Sequence, residues 1–108
     1  MNKLDLAETT KDPETLDHLS RDEDSDVRYY IAYNSNTTPE ILDYLSKDKD
    51  PTVRWTVAEH PNTSPETLKK MSIDEESGWI KRLIKDHPNC SPETYKYLSA
   101  LEILSTLQ

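Results

Sequence analysis

Few side chains in this 108-residue chain are of the kinds that do chemistry, and their spacing limits what each can do. His60 and His87 lie 27 residues apart, each followed by Pro-Asn. As metal ligands they would need further donors, and the chain has neither HxxxH nor CxxC spacing. A histidine closing a helix, favoured by the negative end of the helix dipole, is the plainer reading. Cys90, the one cysteine, occupies the slot that Thr37 and Thr63 fill elsewhere, so it reads as a turn residue. A cysteine nucleophile would need a positioned base, and only His87 is close in sequence. The acidic runs Arg21–Asp26 and Ile73–Ser77 could hint at a calcium loop or a glycosidase carboxylate pair. They lack the alternating ligands and glycine of an EF-hand, and they recur where helix caps are needed. A single glycine, Gly78, leaves nothing to build a phosphate-cradling loop. No catalytic, cofactor or metal residue is assigned, and the chain reads as non-enzymatic.

The elements that place these residues come from a repeat. Thr/Ser-Pro-Glu-x-Leu, or a close variant, is written from Asp12, Thr38, Ser64 and Ser91, with prolines at 13, 39, 65 and 92. The spacings of 26, 26 and 27 residues mean stacked supersecondary units. Each unit predicts two short helices. Helix A is capped by Asp12, Thr38, Ser64 or Ser91, has Pro at its first position and Glu next, near the positive dipole end. Its buried pairs are Leu16/Leu19, Leu42/Leu45, Leu68/Met71 and Tyr95/Leu98. Helix B is capped by Asp24, Asp50 or Ser77. It buries Val27/Tyr30/Ile31, Val53/Thr56/Val57 or Ile80/Leu83/Ile84, a stripe of helical period. Asn34, His60 and His87 end the B helices. The third unit carries its extra residue within Ser72–Ser77. The organisation is one domain: 1–11 a degenerate N-terminal cap echoing helix B, 12–37, 38–63 and 64–90 the repeats, 91–108 a longer C-terminal capping helix.

The stretch Asp48–Leu68, DKDPTVRWTVAEHPNTSPETL, resembles the variant leucine-rich repeat, and Asp24–Leu42 and Ser77–Leu98 match it more loosely. That resemblance implies a right-handed solenoid of alternating α- and 3₁₀-helices. The longer period here leaves room for two α-helices, closer to a miniature HEAT repeat, so the type of one helix per pair stays open. The family's N-terminal iron–sulfur cysteine cluster has no counterpart. The fold expectation is an all-α helical-repeat solenoid, and the resemblance implies protein binding.

Composition frames the partner. Leu, Ile and Val make about a fifth of the chain, with no Phe, which alone would point towards disorder; the fixed apolar offsets override that. Acidic residues outnumber basic ones 21 to 13, a net charge of −8, which argues against direct nucleic-acid binding and against an anionic membrane surface. The start of the chain lacks a signal-like apolar core and one cysteine makes no internal disulfide, so a cytoplasmic monomer is expected. Asn36, Asn62 and Asn89 head Asn-x-Ser/Thr triplets, read as turn grammar rather than glycosylation sites.

The expected function is an adaptor that binds a protein partner. Arg28, Arg54 and Lys81 are equivalent and form a basic column, either an anion-binding groove or a ladder to Asp22, Asp24, Asp26, Asp48, Asp50 and Asp74. Tyr29, Trp55 and Arg82 form a second column pointing away from the apolar stripe, followed four residues on by Tyr33, Glu59 and Asp86. Aromatic residues with Arg are typical of contact surfaces. The candidate contact residues are therefore Arg28, Tyr29, Tyr33, Arg54, Trp55, Glu59, Lys81 and Arg82. His18, Tyr44, Lys70 and Tyr97 line the outer side of helix A. An alternative reading is an acidic nucleic-acid mimic that blocks a basic nucleic-acid-binding protein.

Overall fold

Every helix in the molecule starts where a side-chain oxygen replaces a missing intrahelical partner. The computed structural model describes residues 2–107, and within them the chain is all-α, without strands. The helices are α1 (Lys3–Thr9), α2 (Pro13–Leu19), α3 (Ser25–Tyr33), α4 (Pro39–Leu45), α5 (Pro51–Glu59), α6 (Pro65–Asp74), α7 (Gly78–Asp86) and α8 (Pro92–Thr106). The even helices are the predicted A helices and the odd ones the B helices. Asp12, Thr38, Ser64 and Ser91 accept the N–H three residues on, at 3.1–3.3 Å, and proline opens each of these helices. Asp24 and Asp50 cap α3 and α5 through the N–H two residues on, both at 2.9 Å, and Ser77 caps α7. All eight are α-helices, so no helix of a pair is 3₁₀ among the described residues.

The odd helices α1, α3, α5 and α7 pack against one another in chain order, and α2, α4 and α6 each pack on the odd helix that follows. The molecule measures 52 × 23 × 15 Å. Its core is one continuous cluster: Leu16, Leu42, Leu45, Leu68 and Leu98 from the even helices meet Val27, Ile31, Val53, Val57, Ile80 and Ile84 from the odd. Ala7 of α1 is as buried as Ala32 and Ala58, and α1 packs on α3 as the other odd helices pack on one another.

Two departures have simple causes. Tyr95 holds the slot of Leu16, Leu42 and Leu68, yet it is 49% exposed, and the buried pair of α8 is Thr94 and Leu98. In the earlier units that leucine, Leu16, Leu42 or Leu68, lies in the core cluster. The Lys85 ammonium lies over the Tyr95 ring instead, 5.1 Å from its centre. The extra residue of the third unit is absorbed by α6, which runs on to Asp74 where α2 and α4 stop at Leu19 and Leu45.

Candidate functional site

The repeated polar residues are consumed in joining units. At the C-terminal ends of the odd helices runs a spine of neutral hydrogen bonds. His87 Nε2 meets the His60 carbonyl at 2.7 Å, and His60 Nε2 meets the Asn34 carbonyl at 2.8 Å. Each Nδ1 accepts a backbone N–H, from Asn89 at 2.9 Å and Asn62 at 3.0 Å. That pattern fixes the Nε2–H tautomer of a neutral ring. Asn34 does the same work without titrating: its Nδ2 donates to the carbonyls of Ala7 and Thr10, and its Oδ1 accepts from the Asn36 N–H. Burial holds His60 below the ordinary histidine range. The dipole account of these histidines, which needs the charged ring, is therefore replaced by a neutral donor role. Asn62 and Asn89 also donate to carbonyls one unit back, so their amides serve the turns.

Thr37 and Thr63 bond the carbonyls of Ile31 and Val57 at 2.6 and 2.7 Å. Cys90 cannot imitate this; its Sγ lies 3.6 Å from its neighbour's carbonyl, and burial pushes its thiol up, away from a reactive thiolate.

At the N-terminal ends of the odd helices runs a charged ladder. Arg28 grips Asp48 with Nε at 2.7 Å and Nη2 at 3.1 Å, while Nη1 donates to the carbonyls of Asp22 and Glu23. Arg54 repeats this with Glu75 at 2.9 and 3.4 Å and with the carbonyls of Asp48 and Lys49. Lys3 is the first rung, 3.0 Å from Asp22. Each acid also accepts the N–H two residues on, at Asp24, Asp50 or Ser77. The Asp24 N–H and the Lys3 ammonium hold the Asp22 carboxyl below its usual value. Burial works against ionising Glu75, but the Arg54 guanidinium and the Ser77 N–H outweigh it, and its carboxyl stays low. Arg28 is 7% exposed with its fork filled, so it offers a partner nothing; Arg54 is likewise engaged. Lys81, the third member, has no ion pair among the described residues; Glu102 of α8, 27 residues after Glu75, pairs with Lys85 instead, at 3.1 Å.

What remains is the outer face of the odd helices. Tyr29 packs partly on the core, edge-on to Tyr30 and stacked 6.2 Å from Tyr33. Tyr33 is 59% exposed and Trp55 38%. Glu59 is exposed without an ion pair, and Arg82 pairs loosely with Asp86 at 3.6 Å. Two hollows of about 380 and 390 Å³ run across this face and share Tyr29 and Thr52. The first reaches from Leu4 past Asp26 to Asp50; the second reaches Trp55, Glu59 and Ile80. Together they form one groove over α1, α3, α5 and α7. Of the candidate residues the structure thus gathers Tyr29, Tyr33, Trp55, Glu59 and Arg82 on one face and turns Arg28 and Arg54 away into the ladder.

Two residues of the face lie outside the sequence-derived set. Trp79, 74% exposed, stands at the start of α7 in the column of Asp26 and Thr52. Leu4 heads the column of Tyr29 and Trp55. Disagreement between equivalent positions marks Trp79 as clearly as it marks Trp55. The degenerate register of α1 conceals Leu4. A hollow of about 380 Å³ at the ladder end has its principal charges, Arg54 and Glu75, already paired. No helix is long and apolar enough to cross a membrane. No group of His, Cys, Asp and Glu among the described residues is arranged to hold a metal. Neither the models of known protein families, nor curated proteins, nor solved structures match this chain.

Proposed function

We propose that the chain is a short right-handed solenoid of helix pairs, of the variant leucine-rich-repeat kind, that works as a non-enzymatic adaptor and binds a protein through the odd-helix face. One observation carries this reading. The repeated core residues of both helices and the junction residues Arg28, Arg54, Asn34, His60 and His87 are buried or bonded between units, whereas Tyr33, Trp55 and Trp79 are large, apolar and exposed at positions where the copies differ. A stack kept only for its own stability has no use for aromatic rings in water, and such rings are what contact surfaces are built from. Support for the solenoid comes from the regular packing of odd helix on odd helix, joined at both ends by bonds that recur every 26 or 27 residues. Support for binding over catalysis comes from His60, His87 and Cys90: each is committed to a turn, with its ring bonded at both nitrogens or its thiol pushed up.

The test is cross-linking in host lysate with mass spectrometry, comparing the wild type with Trp55→Ala and Trp79→Ala. A protein held by the wild type and lost by both variants, with far-UV helix content unchanged, is the expected result. Identical cross-links in all three would overturn the assignment of this face.

A further inference from the structure

We propose that the odd-helix groove receives a cationic protein segment, one in which Lys or Arg alternates with apolar side chains. This rests on the adaptor reading and names the chemistry of its partner. The walls of the groove supply the carboxylates of Asp26, Asp50 and Glu59, and no Lys, Arg or His lines either half. Among the described residues none of the three acids has an ion pair, and Asp50 also caps α5 through the Thr52 N–H. Arg82, the base nearest the groove on this face, is already beside Asp86.

The aromatic rings say the same. Elsewhere two of the chain's tyrosines are covered by its own cations: Arg21 lies 4.4 Å from the centre of the Tyr44 ring, and Lys85 covers Tyr95. The rings of Tyr29, Tyr33, Trp55 and Trp79 have no such cation. A ring face beside a free carboxylate is a favourable seat for an ammonium or guanidinium group, through its quadrupole and the neighbouring charge together. Ile80 and Thr56, both buried, line the same hollow as Trp55 and Glu59, the Thr56 hydroxyl being turned to the Thr52 carbonyl. An acidic segment would meet three unpaired carboxylates. A second copy of this chain would bring a net charge of −8 against the same surface, so self-association is disfavoured.

The two tryptophans of the chain, Trp55 and Trp79, both stand exposed on the odd helices and Trp55 lines the groove, so tryptophan emission reports its occupation. The full chain is titrated with a short synthetic peptide of Lys and Arg alternating with Leu, with the same peptide carrying Glu for each base, with one carrying Ser, and with spermine. The expected result is a change in tryptophan emission with the basic peptide alone, weakening with added salt. Asp26→Lys with Glu59→Lys should weaken it about tenfold. The milder pair Asp26→Asn with Glu59→Gln should weaken it less, with unchanged thermal melting in both. Equal binding of the Glu or Ser peptide would overturn the cationic partner yet leave the face as an interaction surface. Spermine binding as tightly as the peptide would overturn a segment in favour of charge alone. If no peptide binds, the inference fails; if Trp55→Ala and Trp79→Ala also leave every lysate cross-link in place, the adaptor reading fails with it.

Discussion

At the C-terminal ends of α3, α5 and α7, neutral side-chain donors reach back one unit to backbone carbonyls; at the N-terminal ends of α3 and α5, Arg28 and Arg54 reach forward one unit to carboxylates. The difference follows from what a helix leaves unpaired. A C-terminus presents carbonyls, which any N–H donor satisfies, and Asn or neutral His suffices. The other end combines carbonyls of the turn between an even and an odd helix with the N–H of the residue that caps the odd helix. Only a long fork bridges both: Arg takes the carbonyls, and the acid that pairs with it takes the N–H. One junction therefore depends on groups staying neutral and the other on groups staying charged. The same stack should fail in two distinguishable ways.

The largest expected effect is at the spine. His60→Ala removes the donor to Asn34 and the acceptor for the Asn62 N–H and leaves a hollow in a buried turn. The cost should be about 3 kcal/mol, read by urea unfolding. His60→Asn should recover most of it, because Asn34 already performs this task one unit earlier. Equal losses for Ala and Asn would show that ring packing, not the hydrogen bonds, holds the turn.

The ladder comes next. Arg54→Ala strands Glu75, a buried carboxylate, and frees the carbonyls of Asp48 and Lys49. A cost of about 2 kcal/mol is expected, since Arg54 is partly exposed and screened by water. Lys81→Ala, at the equivalent position without a partner, should cost close to nothing. If the two variants melt together, the Arg54 pair is decorative.

How far these junctions could be read in advance depended on range. Asp12, Thr38, Ser64 and Ser91 cap helices through bonds three residues away, so spacing alone locates them. Arg28 and Arg54 are legible as a column, but the third acid is not: the added turn residue of α6 moves the role from Asp74 to Glu75. Lys3 is hidden by an N-terminal helix that keeps little of the repeat. His60 and His87 are visible as helix ends, yet the burial that holds His60 below the ordinary range is recorded in no local pattern. Tyr95 fails because its ring meets the Lys85 ammonium of the preceding helix and not the core, a contact that spacing does not record.

Acid should separate the two junctions. His60 is held below its unfolded value of 6.5, so the unfolded chain binds the proton first. Its stabilisation is complete above about pH 6.5 and declines as pH falls below it, by at most about 1.4 kcal/mol per pH unit. Asp22 and Glu75 are held below their ordinary 3.8 and 4.5, so their contribution persists until the pH falls below that range. His60→Asn should flatten the stability curve between pH 6.5 and 5 and leave the steeper acid limb. A slope in that interval that survives the substitution would place its origin elsewhere.

The smallest expected effect tests whether the outer face belongs to neither junction. Trp55 bonds to no neighbouring unit and borders the groove with Tyr29 and Glu59. Trp55→Ala should cost under about 1 kcal/mol, because part of its ring is already wet. Helix content should not move, and neither the acid slope of the spine nor the Arg54 loss should change, since distant sites add. Should Trp55→Ala instead deepen the Arg54→Ala loss by more than about 0.5 kcal/mol in a double-mutant cycle, the ring is part of the ladder's packing. The aromatic column would then be structural, and the difference between repeated and variable positions would no longer mark a surface free for a partner.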